Sequence, residues 1–165
     1  MSTIDKRSNA EGRAMSTELQ TTSKSLYETD FVQWVETTVE QLRTQNYTEV
    51  DWANLIEEIS DMSKRERKSL KSNLIIVLLH LLKWQYQPEG RGGSRRGSIR
   101  EHRRRINDDL KDSLSLVPYL QEIWTECYEN ARQQASDETE LSLDLFPIYC
   151  PYTQEQALSA EYLPD

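Results

Sequence analysis

Two histidines, two cysteines and a dense run of arginines are the residues of this 165-residue chain whose types and spacing could do chemistry. Asn73, Val77, His80 and Trp84 follow one another at intervals of three and four, which places them on one stripe of a helix. A histidine inside the apolar run from Leu74 to Leu82 must find partners for its ring nitrogens. Glu57, Glu58 and Asp61 lie upstream in a second segment of helical pattern and would meet His80 if the two segments pack antiparallel. His80, Trp84, Glu57, Glu58 and Asp61 are therefore expected to form a polar cluster. It reads first as a buried histidine orienting a core, and second as a His and carboxylate pair set for acid and base chemistry.

Other chemistries find less support. Glu-x-x-His, HExxH and paired CxxC spacings are all missing, so no metal site and no cofactor is expected. Cys127 falls on an apolar helix face and Cys150 stands between Tyr149 and Pro151, positions that suit packing better than nucleophilic attack. The segment from Lys83 to Arg105 is the strongest candidate surface. Arg91, Arg95, Arg96, Arg100, Arg103 and Arg104, with Arg105, are interleaved there with Trp84, Tyr86 and His102. Arginine forks suit phosphate and carboxylate, and the Gly-rich loop at 90–93 leads into a helix start. Residues 64–105 hold thirteen Lys or Arg against three Glu, a balance of +10, so the rest of the chain sums to -18 for a net charge of -8. Such a zone either meets an anionic partner or pairs with the protein's own carboxylates, Glu57, Glu58 and Asp61 being the expected ones. Internal pairing is favoured because it requires no partner.

The elements that must position these groups are helical. Five Gly, five Pro and almost no strict alternation favour helices over sheets. Residues 1–25 are polar and without apolar periodicity, and are expected to be a disordered leader; residues 26–164 are expected to form one domain. A first helix from about Asp30 to Gln45, capped by Thr29, carries Phe31, Trp34, Val35, Thr38, Val39 and Leu42 on one face. Asp51 caps a second, with Trp52, Leu55, Ile56, Ile59 and Met62 as its stripe. Ser63 and Glu66 match a capping box, so a third helix is expected to restart there, with a continuous helix as the alternative. It runs to about Tyr86 at the centre of the fold. Ser94 or Ser98 caps a fourth helix with Ile99, Ile106 and Leu110 inside. Ser115 caps a fifth, with Leu120, Ile123, Trp124, Cys127 and Tyr128 turned inward. Beyond Ser136 an irregular segment docks through Leu141, Leu143, Phe146, Pro147 and Tyr152 and ends in a short helix from Thr153 to Leu158. The fold class is all-α, a single-domain bundle of about five helices. No stretch approaches the roughly 20 apolar residues of a membrane span, and the spacing of the cysteines and the polar start make the cytosol the default compartment.

Tyr27, Asp30, Phe31 and Trp34, then Asn54, Leu55, Glu57, Glu58, Asp61 and Met62, the run LLHLLKWQYQP from Leu78 to Pro88, Ile99, Arg103 and Ile106, and Phe146, Pro147, Cys150, Pro151 and Tyr152 together form a pattern over about residues 26–164. In it the chain resembles the bacterial family catalogued as domain of unknown function number twenty-nine. The resemblance implies an all-helical domain and no particular activity. With no convergent catalytic set beyond His80 and the acidic segment, the chain reads as a non-enzymatic binding or interaction module with a protein partner. Nucleic-acid binding through residues 91–105 is the second reading, and a hydrolase or nuclease the third.

Overall fold

Apolar residues at helical spacing, with glycine and proline confined to the joints, give a chain whose regular elements among the described residues are all helical in the computed structural model. The structure describes residues 26–165, and the leader expected over residues 1–25 lies outside them. The chain divides into two compact units, whose described residues are 26–62 and Ser63–Asp165.

In the first unit a helical turn over 26–29 leads into α1 (Phe31–Arg43). The N-cap is Asp30, whose carboxylate accepts from the Gln33 amide at 3.0 Å. Thr29 was the expected cap, but it belongs to the preceding turn. The helix stops at Arg43, two residues before the expected end, where Gln45 turns the chain with φ of 59°. Trp34 is buried with Tyr27 at its edge, ring centres 4.9 Å apart. The Tyr27 hydroxyl donates to Glu58 Oε1 at 2.7 Å. Asp51 accepts from the Asn54 amide and opens α2 as expected.

α2 runs without a break from Trp52 to Tyr86. The restart expected at Ser63 does not occur, so the anticipated second and third helices are one. A capping box satisfies amides that have lost their partners at a helix start. From Ser60 to Leu82 no Gly or Pro interrupts the backbone, and Lys, Arg, Glu and Leu propagate a helix well.

The second unit comprises the rest of α2, a 3-10 turn at Pro88–Gly90, α3 (Gly93–Asp112), α4 (Leu116–Thr139), a 3-10 turn at Leu143–Leu145 and α5 (Gln154–Leu158). α3 begins at Gly92 and Gly93, so Ser94 and Ser98 lie inside the helix and do not cap it. Ser115 stands at the N-cap position of α4, but its side chain makes no capping hydrogen bond. Thr153 and Gln156 form a capping box on α5. Leu74, Val77, Leu78, Leu81 and Leu82 are fully buried. Around them pack Ile99 and Ile106 of α3, Leu120, Ile123, Cys127 and Tyr128 of α4, and Phe146 and Tyr152 of the C-terminal segment. This last segment docks as its apolar residues indicated, and the Tyr128 hydroxyl donates to the Pro147 carbonyl at 2.6 Å.

The burial pattern along α2 has a direct consequence. Leu78 is 0% exposed and Ile59 is 59% exposed. Leu78→Ala should cost about 3 to 5 kcal/mol through lost transfer energy and a cavity, while Ile59→Ala should stay within about 0.5 kcal/mol. Denaturant unfolding of the two variants checks this, and equal costs would contradict it.

Candidate functional site

Most of the arginines expected on a binding surface are engaged by groups of the chain itself, though only Arg103 is buried and Arg95 half-buried. The Arg95 guanidinium donates to the Lys83 carbonyl at 2.8 Å, to the Gln87 carbonyl at 3.3 Å and to Gln87 Oε1 at 2.8 Å. Arg91 Nε donates to the Trp84 carbonyl at 2.7 Å. These two side chains add donors to carbonyls at and just past the end of α2, those of Lys83 and Gln87 also accepting from the Gln87 and Gly90 amides, and a cation there complements the helix dipole. Gly90 leaves the room for this, since a Cβ there would stand 2.6 Å from Arg95 Nη2. Arg103 does not belong to a surface at all, being 2% exposed. Its fork donates to the carbonyls of Ala157 at 2.7 Å, Tyr162 at 2.8 Å and Gln156 at 3.3 Å, and so clamps the C-terminal segment onto α3. Arg132 on α4 does the same for the carbonyls of Phe146 and Leu143.

Arg104 and Arg105 are neutralised within their own helix, Arg104 by Glu101 and Asp108 and Arg105 by Glu101. The hydrogen bonds from the two arginines hold the Glu101 carboxyl down at about 2. Glu101 and Asp108 are thus the counter-ions of these two arginines. Arg96 lies over the Trp84 ring at 5.4 Å. Arg100 is exposed and has no recorded polar partner among the described residues.

The polar cluster expected around His80 is not assembled. Glu57, Glu58 and Asp61 lie about twenty residues upstream of His80 on one unbroken helix, so the antiparallel pair of helices that would bring them to it does not form. Trp84 is buried and stacks with Arg91 and Arg96. Another set takes the place of the carboxylates, along a seam where α2 faces α3. Asn73 Oδ1 accepts from His102 Nδ1 at 2.7 Å, and Asn73 Nδ2 donates to Ser69. Both histidines of the chain are on this seam. His80 is half-buried, and its Nδ1 has no partner among the described residues. Burial, then Lys83, then Arg95 and His102 push the His80 pKa down against the pull of Glu138. Burial and Arg105 do the same for His102 against Glu101. Asp109 ends the seam, with Oδ2 buried and unpartnered among the described residues. Burial first, then Glu66, Asp108 and Asp112, push its pKa up.

This seam offers neutral imidazoles but no carboxylate hydrogen-bonded to either one among the described residues. Away from the seam, burial raises the thiol of Cys127 on α4 to about 11 and also raises Cys150, which disfavours the thiolate at both. No group of three or more His, Cys, Asp or Glu among the described residues is placed to hold a metal ion. No helix among them is long and apolar enough to cross a membrane.

What the sequence reading missed lies in the first unit. Trp52, Ile56, Ile59 and Met62, expected to be turned into a core, are 47%, 61%, 59% and 60% exposed. On α1, Phe31, Val32, Val35 and Val39 are exposed as well. The stripe was legible as amphipathic, but periodicity does not say whether a face is covered.

Comparison with known proteins places these observations in a family. The family model described as "Domain of unknown function DUF29" matches residues 26–163. No curated protein and no solved structure matches the chain.

The seam gives a prediction with a definite sign. A carboxylate whose folded pKa is raised destabilises the fold above its ordinary pKa and ceases to do so as pH falls. Asp109→Asn should therefore raise the melting temperature at pH 7, by an amount that shrinks as pH approaches 4. A lowered melting temperature at pH 7 would show that Asp109 is needed as an anion.

Proposed function

The chain belongs to the DUF29 family, and we propose on that premise that it is a non-enzymatic interaction module, acting in the cytosol, whose contact surface is the exposed apolar face of the first unit. One observation carries the reading: four large apolar side chains on one stripe of α2, from Trp52 to Met62, are about half or more exposed. Leaving them in water forgoes burial that contributes roughly 1.5 to 3 kcal/mol per large side chain, a cost that a partner's surface would remove.

The disposition of the arginines supports the same reading over nucleic-acid binding. A phosphate-binding surface needs guanidinium groups that point outward in a row. Arg91, Arg95 and Arg103 are committed to backbone carbonyls, and Arg104 and Arg105 to carboxylates on their own helix. Arg96 and Arg100 remain, fewer than the six or so contacts that a strongly salt-dependent complex requires.

A photoreactive benzophenone amino acid placed at Ile59, or separately at Arg100, tests this in the cells that naturally make the chain. A protein adduct is expected from position 59, none from position 100, and none from position 59 once Ile56→Asp is added. A nucleic-acid adduct at position 100 with nothing at position 59 would overturn the reading in favour of phosphate binding.

A further inference from the structure

We propose that the exposed apolar face of the first unit receives a cationic amphipathic helix from a partner protein. The inference rests on the interaction reading above and adds the chemistry of the partner.

Three observations select that occupant. The first is size. The described part of the unit, residues 26–62, has fewer than 40 residues, a length at which a chain seldom builds a sufficient core without help. Trp34 and Val50 are its only large apolar side chains that are buried, against eight on α1 and α2 that are exposed. The second is shape. Trp52, Ile56, Ile59 and Met62 follow one another at intervals of four, three and three. They make a straight ridge about 15 Å long at 1.5 Å per residue, and ridges of this kind pack against the grooves of another helix.

The third is charge. Residues 26–62 hold nine carboxylates against Arg43 alone, with no Lys or His. A second copy presenting the same face would be repelled, as would nucleic acid or an anionic membrane. Lys and Arg on a partner helix would be drawn by the net negative charge of these residues, while their aliphatic stems extend the apolar contact. The chain's own residues 1–25 fit poorly as occupant, since four basic residues are offset by three acidic ones and no apolar stripe at helical spacing is present.

The test uses the full chain and two designed peptides of about five helical turns. They share one Leu and Ile stripe, and their remaining positions are mainly Lys in one and mainly Glu in the other. The Lys peptide should bind with micromolar affinity and the Glu peptide about tenfold or more weaker. Ile56→Asp with Ile59→Asp should weaken the Lys peptide about tenfold with an unchanged melting temperature, whereas plain charge attraction would be strengthened by two added carboxylates. Glu36→Lys with Glu57→Lys should narrow the preference between the peptides.

Equal binding of the two peptides would overturn the charge selection and leave the docking face standing. Failure of both, alongside a protein adduct at position 59, would overturn the partner chemistry and leave the interaction reading standing. A dimer in sedimentation that Ile59→Asp dissociates would assign the face to a second copy. An affinity for the Lys peptide that rises tenfold on removal of residues 1–25 would assign it to the chain's own N-terminal segment. Either of these last two results would overturn the proposal.

Discussion

The burial of Leu74, Val77, Leu78, Leu79, Leu81 and Leu82 on α2 is the constraint from which the second unit follows. A helix so widely apolar has to be enclosed over most of its circumference, and α3, α4 and the C-terminal segment supply the enclosure. Enclosure creates secondary demands. The carbonyls at the end of α2 need donors, and the irregular segment beyond Thr139 carries main-chain carbonyls into a region shielded from water. Arginine answers both: Arg91 and Arg95 close the helix end, and Arg103 and Arg132 hold the C-terminal carbonyls. The fork geometry of the guanidinium, with several donors in one plane, allows one buried side chain to satisfy two or three acceptors that a lysine could not reach together.

The same helix has a different character before Leu70. From Ala53 to Ser69 most of its positions are exposed, and its apolar stripe there faces solvent. A single 35-residue helix thus spends one half on the fold and presents the other. The presented half belongs to a stretch of net negative charge, and the basic residues that follow it reverse that sign. Residues 26–62 hold nine carboxylates against Arg43, residues 106–165 hold thirteen against Lys111 and Arg132, and much of the cationic part between them is consumed in the second unit.

Elements and core were largely legible in the sequence, because apolar periodicity and helix-joint residues report on local structure and on burial of a fully apolar run. Leu78, Ile106, Cys127 and Phe146 could be placed inside on that basis. The arginine segment was harder. Composition records a charge but not the acceptor it meets, and Arg103 looks like Arg100 until the carbonyls of Gln156, Ala157 and Tyr162 arrive from more than fifty residues away. The polar set around His80 failed for one local reason. Ser63 and Glu66 fit a capping box, yet a helix already running offers no unpaired amides there, so Glu57, Glu58 and Asp61 stay in line with His80 instead of folding against it. The pairing of Asn73 with His102 had a trace in the sequence, since Asn73 shares the His80 stripe and His102 falls on the inner side of α3 between Ile99 and Ile106.

Native-state amide hydrogen exchange along α2 tests the division of this helix most directly, and needs no partner. Amides from Leu74 to Leu82 should exchange only through global unfolding, whereas those from Asn54 to Met62, on a part of the helix with little buried apolar contact, should exchange at least about a hundredfold faster through local opening. Uniform protection from one end of α2 to the other would contradict the account, because the first unit would then be as firmly packed as the core and would have no face left to offer.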